Sequence, residues 1–114
     1  MNIKEGGSSI MDRMYFTITG MNYRYGQKFL ERGMKVRLVK EPDNNFDSEA
    51  IKVEIDGLGH IGYVANSPYT IAGESMSAGR LYDKIGEEAY GTVMYVLENG
   101  ALGMIDHEDK DQIL

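Results

Sequence analysis

The sequence contains no cysteine, only two histidines and only two prolines. Without cysteine the chain can form neither a disulfide framework nor a thiolate metal site, and it is predicted to belong to a reducing compartment, the cytoplasm. No apolar run approaches the roughly 20 residues of a membrane-spanning helix. Residues 1–10 also lack the apolar stretch of a secretory signal, so neither membrane insertion nor secretion is predicted.

The sequence also has little of what nucleophilic or metal-assisted catalysis needs. His60 lies at a predicted strand start and His107 in an acidic tail. No motif of a serine hydrolase, a phosphate-binding loop or a zinc protease occurs. We therefore predict a protein that is not an enzyme and has no cofactor and no metal. A metal-dependent nuclease is the alternative, for which Asp43, Asp47 and Glu49 are the candidate ligands.

One spacing in the chain resembles a calcium-binding loop. Asp43, Asn45 and Asp47 match the first three ligand positions, and Glu54 falls at the twelfth. Ser48, however, stands where the sharp turn of such a loop needs glycine, and the flanking residues alternate as in strands rather than helices. We therefore favour a turn held by its own side chains over a calcium site.

Negative charge predominates, with a formal net charge of −6, but it is unevenly distributed. Residues 13–52 contain eight Lys or Arg against five Asp or Glu, whereas residues 53–114 contain three against eleven. An acidic chain is a poor overall match for a polyanion, yet the first half can present a local basic face. The equally favoured alternative is an ordinary solvated surface on which the charged residues are unevenly distributed by chance.

Short segments rich in β-branched and aromatic residues predict a mainly β domain of about six strands. Apolar and polar residues alternate most clearly in residues 34–40 and 51–55, as is typical of strands with one buried face. Asp56-Gly57 and Asn99-Gly100 are hairpin signals. The predicted strands are residues 14–19, 34–40, 51–55, 60–64, 88–98 and 101–105.

One or two short helices are predicted between the fourth and fifth strands. Asn66 or Ser67 can cap a helix from Tyr69 to about Ser77, with Pro68 in its first turn, and residues 80–85 predict a further turn. Short strands at this density indicate a small closed or half-closed β-barrel. We place this domain at residues 14–105, between a flexible lead (1–13) and an acidic tail (106–114).

The densest turn chemistry lies between the second and third predicted strands, in residues 40–51. Pro42 fixes its own φ, and the Asp, Asn and Ser residues around it can bond their own backbone and hold a tight loop. Phe46 stands inside this polar run. Its ring either packs back into the core or forms a stacking face at the mouth of a pocket.

A second loop combines aromatic and basic side chains, since residues 23–26 read Tyr-Arg-Tyr-Gly. Aromatic faces stack on unpaired bases, and Arg neutralises the nucleic-acid backbone. If Phe46 and Asp47 face the same place as Tyr23 and Arg24, the pocket has aromatic walls, a cationic rim and one carboxylate to accept from a sugar hydroxyl. From the residues alone, the favoured alternative is that the rings are packing residues and Asp47 caps its own turn.

Three motifs, taken in order, resemble the HIRAN domain family, which occurs at the N-terminus of SNF2-type fork-remodelling helicases and as small standalone bacterial proteins. The resemblance extends over residues 14–105. Asn45 replaces a usual Pro, and residues 65–67 replace a Pro-Arg-type continuation. The motifs are Gly-Met-Asn-Tyr-Arg-Tyr-Gly at 20–26, Glu-Pro-Asp-Asn-Asn-Phe-Asp-Ser-Glu-Ala-Ile-Lys-Val at 41–53 and Gly-His-Ile-Gly-Tyr-Val at 59–64.

The resemblance implies an OB-like or SH3-like β-barrel that binds single-stranded DNA, at a free 3′-hydroxyl end in the helicase members. It further implies a role in DNA repair, with the 3′ end of single-stranded DNA and a DNA-processing enzyme as partners. The alternative is a protein-interaction or regulatory module on the same scaffold, which the eight methionines favour slightly. The DNA-binding residues implied by position are Tyr23, Arg24, Asn44, Phe46, Asp47, Tyr63 and Asn66.

The resemblance also implies a role for six of these seven residues. Tyr23 is expected to stack on a terminal base, and Phe46 to line the base pocket. Asp47 is expected to accept a hydrogen bond from the 3′-hydroxyl. The surroundings of Asn44 are expected to hold Asp47 in place, whereas Tyr63 and Asn66 fall where the family contacts the sugar-phosphate backbone.

Overall fold

The computed structural model describes residues 13–21 and 28–106. Within these ranges six strands close into an antiparallel barrel in the order β1-β4-β3-β2-β5-β6, which confirms the predicted mainly β barrel. One short helix lies between the fourth and fifth strands. The elements are β1 (Tyr15–Thr19), β2 (Lys35–Lys40), β3 (Ile51–Ile55), β4 (Gly59–Val64), α1 (Ala78–Tyr82), β5 (Glu88–Leu97) and β6 (Gly100–Ile105).

Alternation along the strands fills the barrel with apolar side chains. In β2, Val36 and Leu38 are buried, whereas Lys35 is exposed and Arg37 is half-buried. Successive side chains of a strand point to opposite faces, so the polar residues remain outside the barrel. The core residues contributed by the strands are Phe16, Ile18, Val36, Leu38, Ile51, Val53, Ile61, Val64, Val93 and Ala101.

The predicted helix over residues 69–77 is wrong. The Ser67 carbonyl accepts from the amides three and four residues further on, but the next amide, that of Ala72, donates to Thr17 Oγ1 at 3.0 Å. Thr17 Oγ1 also lies 2.8 Å from Ser75 Oγ in a buried hydroxyl pair. Bonds to β1 thus replace the bonds that would have continued the helix.

The helix of the structure, α1, begins later. Ser77 is its N-cap and accepts from the Arg80 amide at 3.2 Å, and its buried residues Ala78 and Leu81 pack against the barrel core. Five residues that include Gly79 form too short a helix for a periodic pattern, so the sequence predicts only a turn there. In the described part of the chain no helix has the length and apolar character that crossing a bilayer requires.

The glycines of the two hairpin signals act differently. Gly57 has a φ of +87°, so the turn between β3 and β4 uses the left-handed conformation that glycine favours. Gly100 instead is the first residue of β6 and pairs with Leu97. A Cβ on Gly100 would lie 2.3 Å from the Ile18 carbonyl oxygen. Here glycine is required by the close approach of β6 to β1 rather than by the turn.

The topology brings two connections to one rim of the barrel. The 41–50 loop joins β2 to β3, and the 65–77 segment leads from β4 to α1. Strands β3 and β4 are antiparallel neighbours with Lys52 opposite Tyr63. The start of β3 and the end of β4 therefore lie side by side, and both connections leave the barrel at the same rim.

Candidate functional site

The 41–50 loop is closed by hydrogen bonds from its own side chains. Asn44 Oδ1 accepts from the amides of Phe46 at 2.9 Å and Asp47 at 3.0 Å. Asp47 Oδ1 in turn accepts from the amide of Glu49 at 2.9 Å. Asn and Asp stabilise tight turns through bonds of this kind, so the loop has the side-chain-held turn that the sequence favours.

Glu41 joins this loop to the outer face of the sheet. Its Oε1 accepts from the Tyr63 hydroxyl at 2.8 Å and from Asn44 Nδ2 at 3.0 Å, and Lys52 Nζ lies 3.8 Å from its Oε2. The His60 ring meets the Tyr63 ring edge-on, with the centroids 4.8 Å apart. The ring and the hydroxyl of Tyr63 are therefore both fixed beside the loop.

A second set of bonds ties the 41–50 loop to the neighbouring connection and to α1. Asp47 Oδ2 accepts from Asn66 Nδ2 at 2.8 Å, a contact that we call the Asp47–Asn66 bridge. Asn66 Oδ1 accepts from the Gly79 amide at 2.9 Å. A Cβ on Gly79 would lie 2.7 Å from Glu49 Oε1, so the loop lies directly against the helix. Asp47 is thus oriented from two sides.

Phe46 does not pack into the core, because it is 96% exposed. It borders a shallow cleft of about 470 Å³ that also contacts Tyr63. Small-molecule sites measure roughly 300–1,000 Å³, so a cleft of this size accommodates a group such as a single nucleotide. Of the two roles predicted for the Phe46 ring, the structure excludes packing in the core and is compatible with a stacking face at the mouth of a pocket.

Two of the seven predicted DNA-binding residues, Tyr23 and Arg24, lie outside the described residues. The strand that leads towards them, β1, ends at Thr19, which pairs with Tyr63. Four of the other five take part in side-chain hydrogen bonds within the site, and the exception is Phe46, whose ring is exposed. The predicted residues in the described ranges are Asn44, Phe46, Asp47, Tyr63 and Asn66.

The sequence did not reveal that Glu41 and Gly79 help to hold the site together. Glu41 is the shared acceptor of the site. It begins the motif at 41–53 and directly precedes Pro42, but neither signal indicates which residues it binds. Gly79 lies 13 residues beyond its partner Asn66. No local pattern in the sequence connects two residues at that separation.

No metal site accompanies these carboxylates in the part of the chain that the structure describes, where no three His, Cys, Asp or Glu side chains are grouped to hold an ion. Glu54, at the twelfth position of the calcium-like spacing, lies 2.7 Å from the Arg37 guanidinium and 3.1 Å from Lys52 Nζ. Its carboxylate is therefore engaged by two cations on the sheet.

A larger cleft of about 1080 Å³ lies elsewhere on the barrel, bordered by β2, β5 and β6. It shares no lining residue with the 41–50 loop. Lys35, one of its cations, lies 2.8 Å from Asp106 and donates to Thr92 Oγ1. The lining contains two cations, Lys35 and Lys84, and three acidic residues, Asp56, Glu88 and Asp106, so its charge does not favour a polyanion.

Two carboxylates, those of Glu41 and Glu54, have lowered pKa values. Partial burial alone raises the pKa of Glu41, but the hydrogen bonds from Asn44 and Tyr63 and the charge of Lys52 outweigh it and hold the pKa below the ordinary 4.5. Hydrogen bonds from Arg37 and Lys52 lower the pKa of Glu54. A carboxylate of lowered pKa contributes stability above its unfolded-state pKa, and this contribution is lost as the pH falls through the folded-state pKa.

We therefore expect the free energy of unfolding to decrease as the pH falls below about 4.5. Glu41→Gln keeps an acceptor for the Tyr63 hydroxyl but cannot ionise. It should be less stable than the wild type at neutral pH, and this difference should disappear as the pH falls through the folded-state pKa of Glu41. Urea titrations across this range, with Glu74→Gln as an exposed control, measure the difference. A difference that does not change with pH would refute a role for the Glu41 charge.

The chain is similar to known proteins in sequence and in fold. The HIRAN domain family model matches residues 11–99. The crystal structure of the HIRAN domain of human HLTF aligns with a TM-score of 0.55 at 19% identity, covering 82% of this chain and 74% of that chain. The crystal structure of a protein from Lactobacillus plantarum aligns with a TM-score of 0.51 at 27% identity, covering 83% and 97%. A search of curated proteins finds no match.

Proposed function

This chain belongs to the HIRAN domain family, and from that premise we propose that it is a non-enzymatic module that binds single-stranded DNA at a 3′-hydroxyl end. One observation carries the proposal. At the rim of the barrel an aromatic ring, that of Phe46, is 96% exposed, and the next residue, Asp47, presents a carboxylate that is oriented by bonds from two sides. A stacking face and a fixed acceptor are the two groups that a terminal nucleoside requires.

Phe46 supplies the stacking face. Base–aromatic stacking contributes roughly 1–3 kcal/mol per base and tolerates every base, because each has a π-face. The ring borders the cleft of about 470 Å³ beside Tyr63, so a base stacked on it would lie over that cleft. Recognition through this ring is therefore expected to be insensitive to base identity.

Asp47 supplies the acceptor for the terminal hydroxyl. An ionised carboxylate has about four acceptor sites, two on each oxygen. In Asp47 one oxygen accepts from the Glu49 amide and the other from Asn66 Nδ2. Each oxygen therefore keeps one site for an O–H donor. A 3′-phosphate would bring negative charge to the same place, which is unfavourable beside a carboxylate.

The DNA strand beyond the terminal nucleotide would run along an uncharged stretch of the protein. Tyr63 and Asn66 are uncharged, and residues 57–73 contain no Asp, Glu, Lys or Arg. Phosphates there meet no charged side chain of that stretch. Arg24 is the one cation among the proposed DNA-binding residues. Because each neutralised phosphate contributes a slope of about −0.7 in log K against log salt for single strands, the slope is expected to correspond to about one phosphate.

The terminal group of the oligonucleotide tests the proposal. A 5′-labelled hexathymidylate with a 3′-hydroxyl is expected to bind roughly 10-fold or more tightly than the same oligonucleotide with a 3′-phosphate, the range of a lost hydrogen bond to a charged group. Fluorescence anisotropy at fixed salt measures both affinities. As the control, unlabelled hexathymidylates with a 5′-hydroxyl and with a 5′-phosphate, both with a 3′-hydroxyl, should compete equally against the labelled oligonucleotide. Equal affinities for the two 3′ termini would contradict end recognition.

A protein-interaction module is the second candidate function. Strand β5 supports it, because Tyr90, Tyr95 and Val96 are 50%, 54% and 42% exposed. Aromatic residues are enriched at protein interfaces. Salt separates the two candidates, since phosphate contacts weaken as salt rises whereas an apolar contact does not.

A further inference from the structure

We infer that Tyr69 forms a second base-stacking platform, which receives a base further along the strand whose terminal nucleotide stacks on Phe46. The ligand is again single-stranded DNA, so this inference rests on the proposed function. It extends the site from one nucleotide to a short stretch of strand.

Tyr69 and Phe46 differ from every other large apolar residue in the described ranges. They are 95% and 96% exposed, whereas the next most exposed, Tyr95, is 54% exposed. Both lie in turns rather than on strands. Exposed apolar side chains that are scattered singly need no explanation. Two rings exposed on the two connections of one rim point to a shared ligand.

The backbone that carries Tyr69 is fixed. Ser67 Oγ accepts from the Tyr69 amide at 3.2 Å, and the Ser67 carbonyl accepts from the amides of Thr70 at 2.9 Å and Ile71 at 3.1 Å. Pro68 restricts φ within the same turn. Because the backbone is already ordered, only the rotamer freedom of the side chain is lost when a base stacks on the ring.

The Asp47–Asn66 bridge places the two rings on the same rim. Phe46 directly precedes Asp47, and Tyr69 follows Asn66 by three residues. Because consecutive Cα atoms are about 3.8 Å apart, the Tyr69 Cα lies within about 11 Å of the Asn66 Cα. A strand rising roughly 3.4 Å or more per nucleotide covers such a distance in a few nucleotides.

The stretch of chain that carries Tyr69 is uncharged. Residues 57–73, which contain Tyr69, carry no Asp or Glu in a chain that has 18 of them. A phosphate approaching Tyr69 therefore meets no carboxylate from the same stretch.

Two ligands of different length test the inference. Thymidine 5′-monophosphate carries a 3′-hydroxyl and can occupy only one platform, whereas hexathymidylate can occupy both. Tyr69→Ala is expected to weaken hexathymidylate binding roughly 5- to 100-fold and to leave thymidine 5′-monophosphate binding unchanged, because one stacked base is lost. Phe46→Ala should weaken both ligands. NMR titration measures the mononucleotide and anisotropy the oligonucleotide.

Tyr69→Phe keeps the ring and should bind hexathymidylate like the wild type, and Tyr95→Ala removes a comparison tyrosine on β5 and should have no effect. If Tyr69→Ala retains full hexathymidylate affinity while Phe46→Ala loses it, the second platform is wrong and the proposed function stands. Equal weakening of both ligands by Tyr69→Ala would place Tyr69 at the terminal nucleotide and also overturn the inference. If the wild type binds neither ligand, the proposed function fails and this inference with it.

Discussion

Replacement of Asp47 by Ala is expected to weaken the binding of a 3′-hydroxyl oligonucleotide by about 1–3 kcal/mol, a rise in Kd of roughly 5- to 150-fold. The terminal hydroxyl would lose its acceptor on entering the site. The same substitution, however, also removes the Asp47–Asn66 bridge and the bond to the Glu49 amide. A loosened 41–50 loop could therefore produce the same loss of affinity.

An exchange of the two bridged residues separates these effects. In the double variant Asp47→Asn with Asn66→Asp, the amide at position 47 can still accept from the Glu49 amide and can donate to the carboxylate at position 66. The second oxygen of that carboxylate can still accept from the Gly79 amide, as Asn66 does at 2.9 Å in the wild type. The exchange keeps the contacts between the loops and moves the negative charge away from position 47.

We expect the exchanged variant to have a melting temperature within about 4 °C of the wild type, which corresponds to less than about 1 kcal/mol. Its affinity for the 3′-hydroxyl oligonucleotide should be lower than that of the wild type, because a neutral amide oxygen is a weaker acceptor than a carboxylate. Calorimetry and anisotropy on the same preparations measure the two properties. Full affinity in the exchanged variant would mean that Asp47 acts only by holding the loop.

Gly100→Ala is expected to lower the free energy of unfolding by about 3 kcal/mol, the upper part of the usual range for overpacking. The added Cβ would lie 2.3 Å from the carbonyl oxygen of Ile18, a backbone atom of β1. Ile18 is fully buried and pairs with Ala101 of β6. Relief of the clash therefore requires β1 and β6 to move apart at a point where the barrel is closed.

Gly86→Ala is the matched control for this prediction. Its nearest neighbour would be the Glu88 carbonyl oxygen at 3.9 Å, and its φ is not positive. Its expected effect is within about 0.5 kcal/mol. Urea denaturation of the three proteins gives the comparison. Similar stabilities of the two variants would show that the spacing between β1 and β6 is not fixed by Gly100.

The barrel could be predicted from the sequence because its strands carry their own signals. Alternation in residues 34–40 and 51–55 gave β2 and β3 to within one residue, and glycine marked both hairpins. The 65–77 segment could not be predicted in the same way. The Ala72 amide donates to Thr17, and the Ala65 carbonyl accepts from Ala78. Tertiary partners of this kind override local helix signals.

In the candidate site, too, local features could be predicted from the sequence and long-range contacts could not. The turn around Asn44 is local, and its Asp and Asn composition predicts it. Glu41 and Tyr63 are 22 residues apart, and Asp47 and Asn66 are 19 residues apart. Only the pairing of β3 with β4 brings these partners together. Family resemblance named three of the four residues without indicating which of them bond each other.

Exposure is the property that the sequence conveyed least well. Phe46 had two roles open to it, and Tyr69 was predicted to begin a helix. Aromatic residues occur in cores and on surfaces alike, so residue type does not separate these cases. The structure separates them, since both rings are more than nine-tenths exposed.

The central claim is that the 41–50 loop and the 65–77 segment form one DNA-binding rim. A chemical-shift map of backbone amides during a hexathymidylate titration tests it most directly. The account predicts saturable shifts with one common Kd for the amides of Phe46, Asp47 and Asn66. Shifts confined to the larger cleft around Lys35 and Tyr90, or an absence of shifts at saturating oligonucleotide, would contradict it.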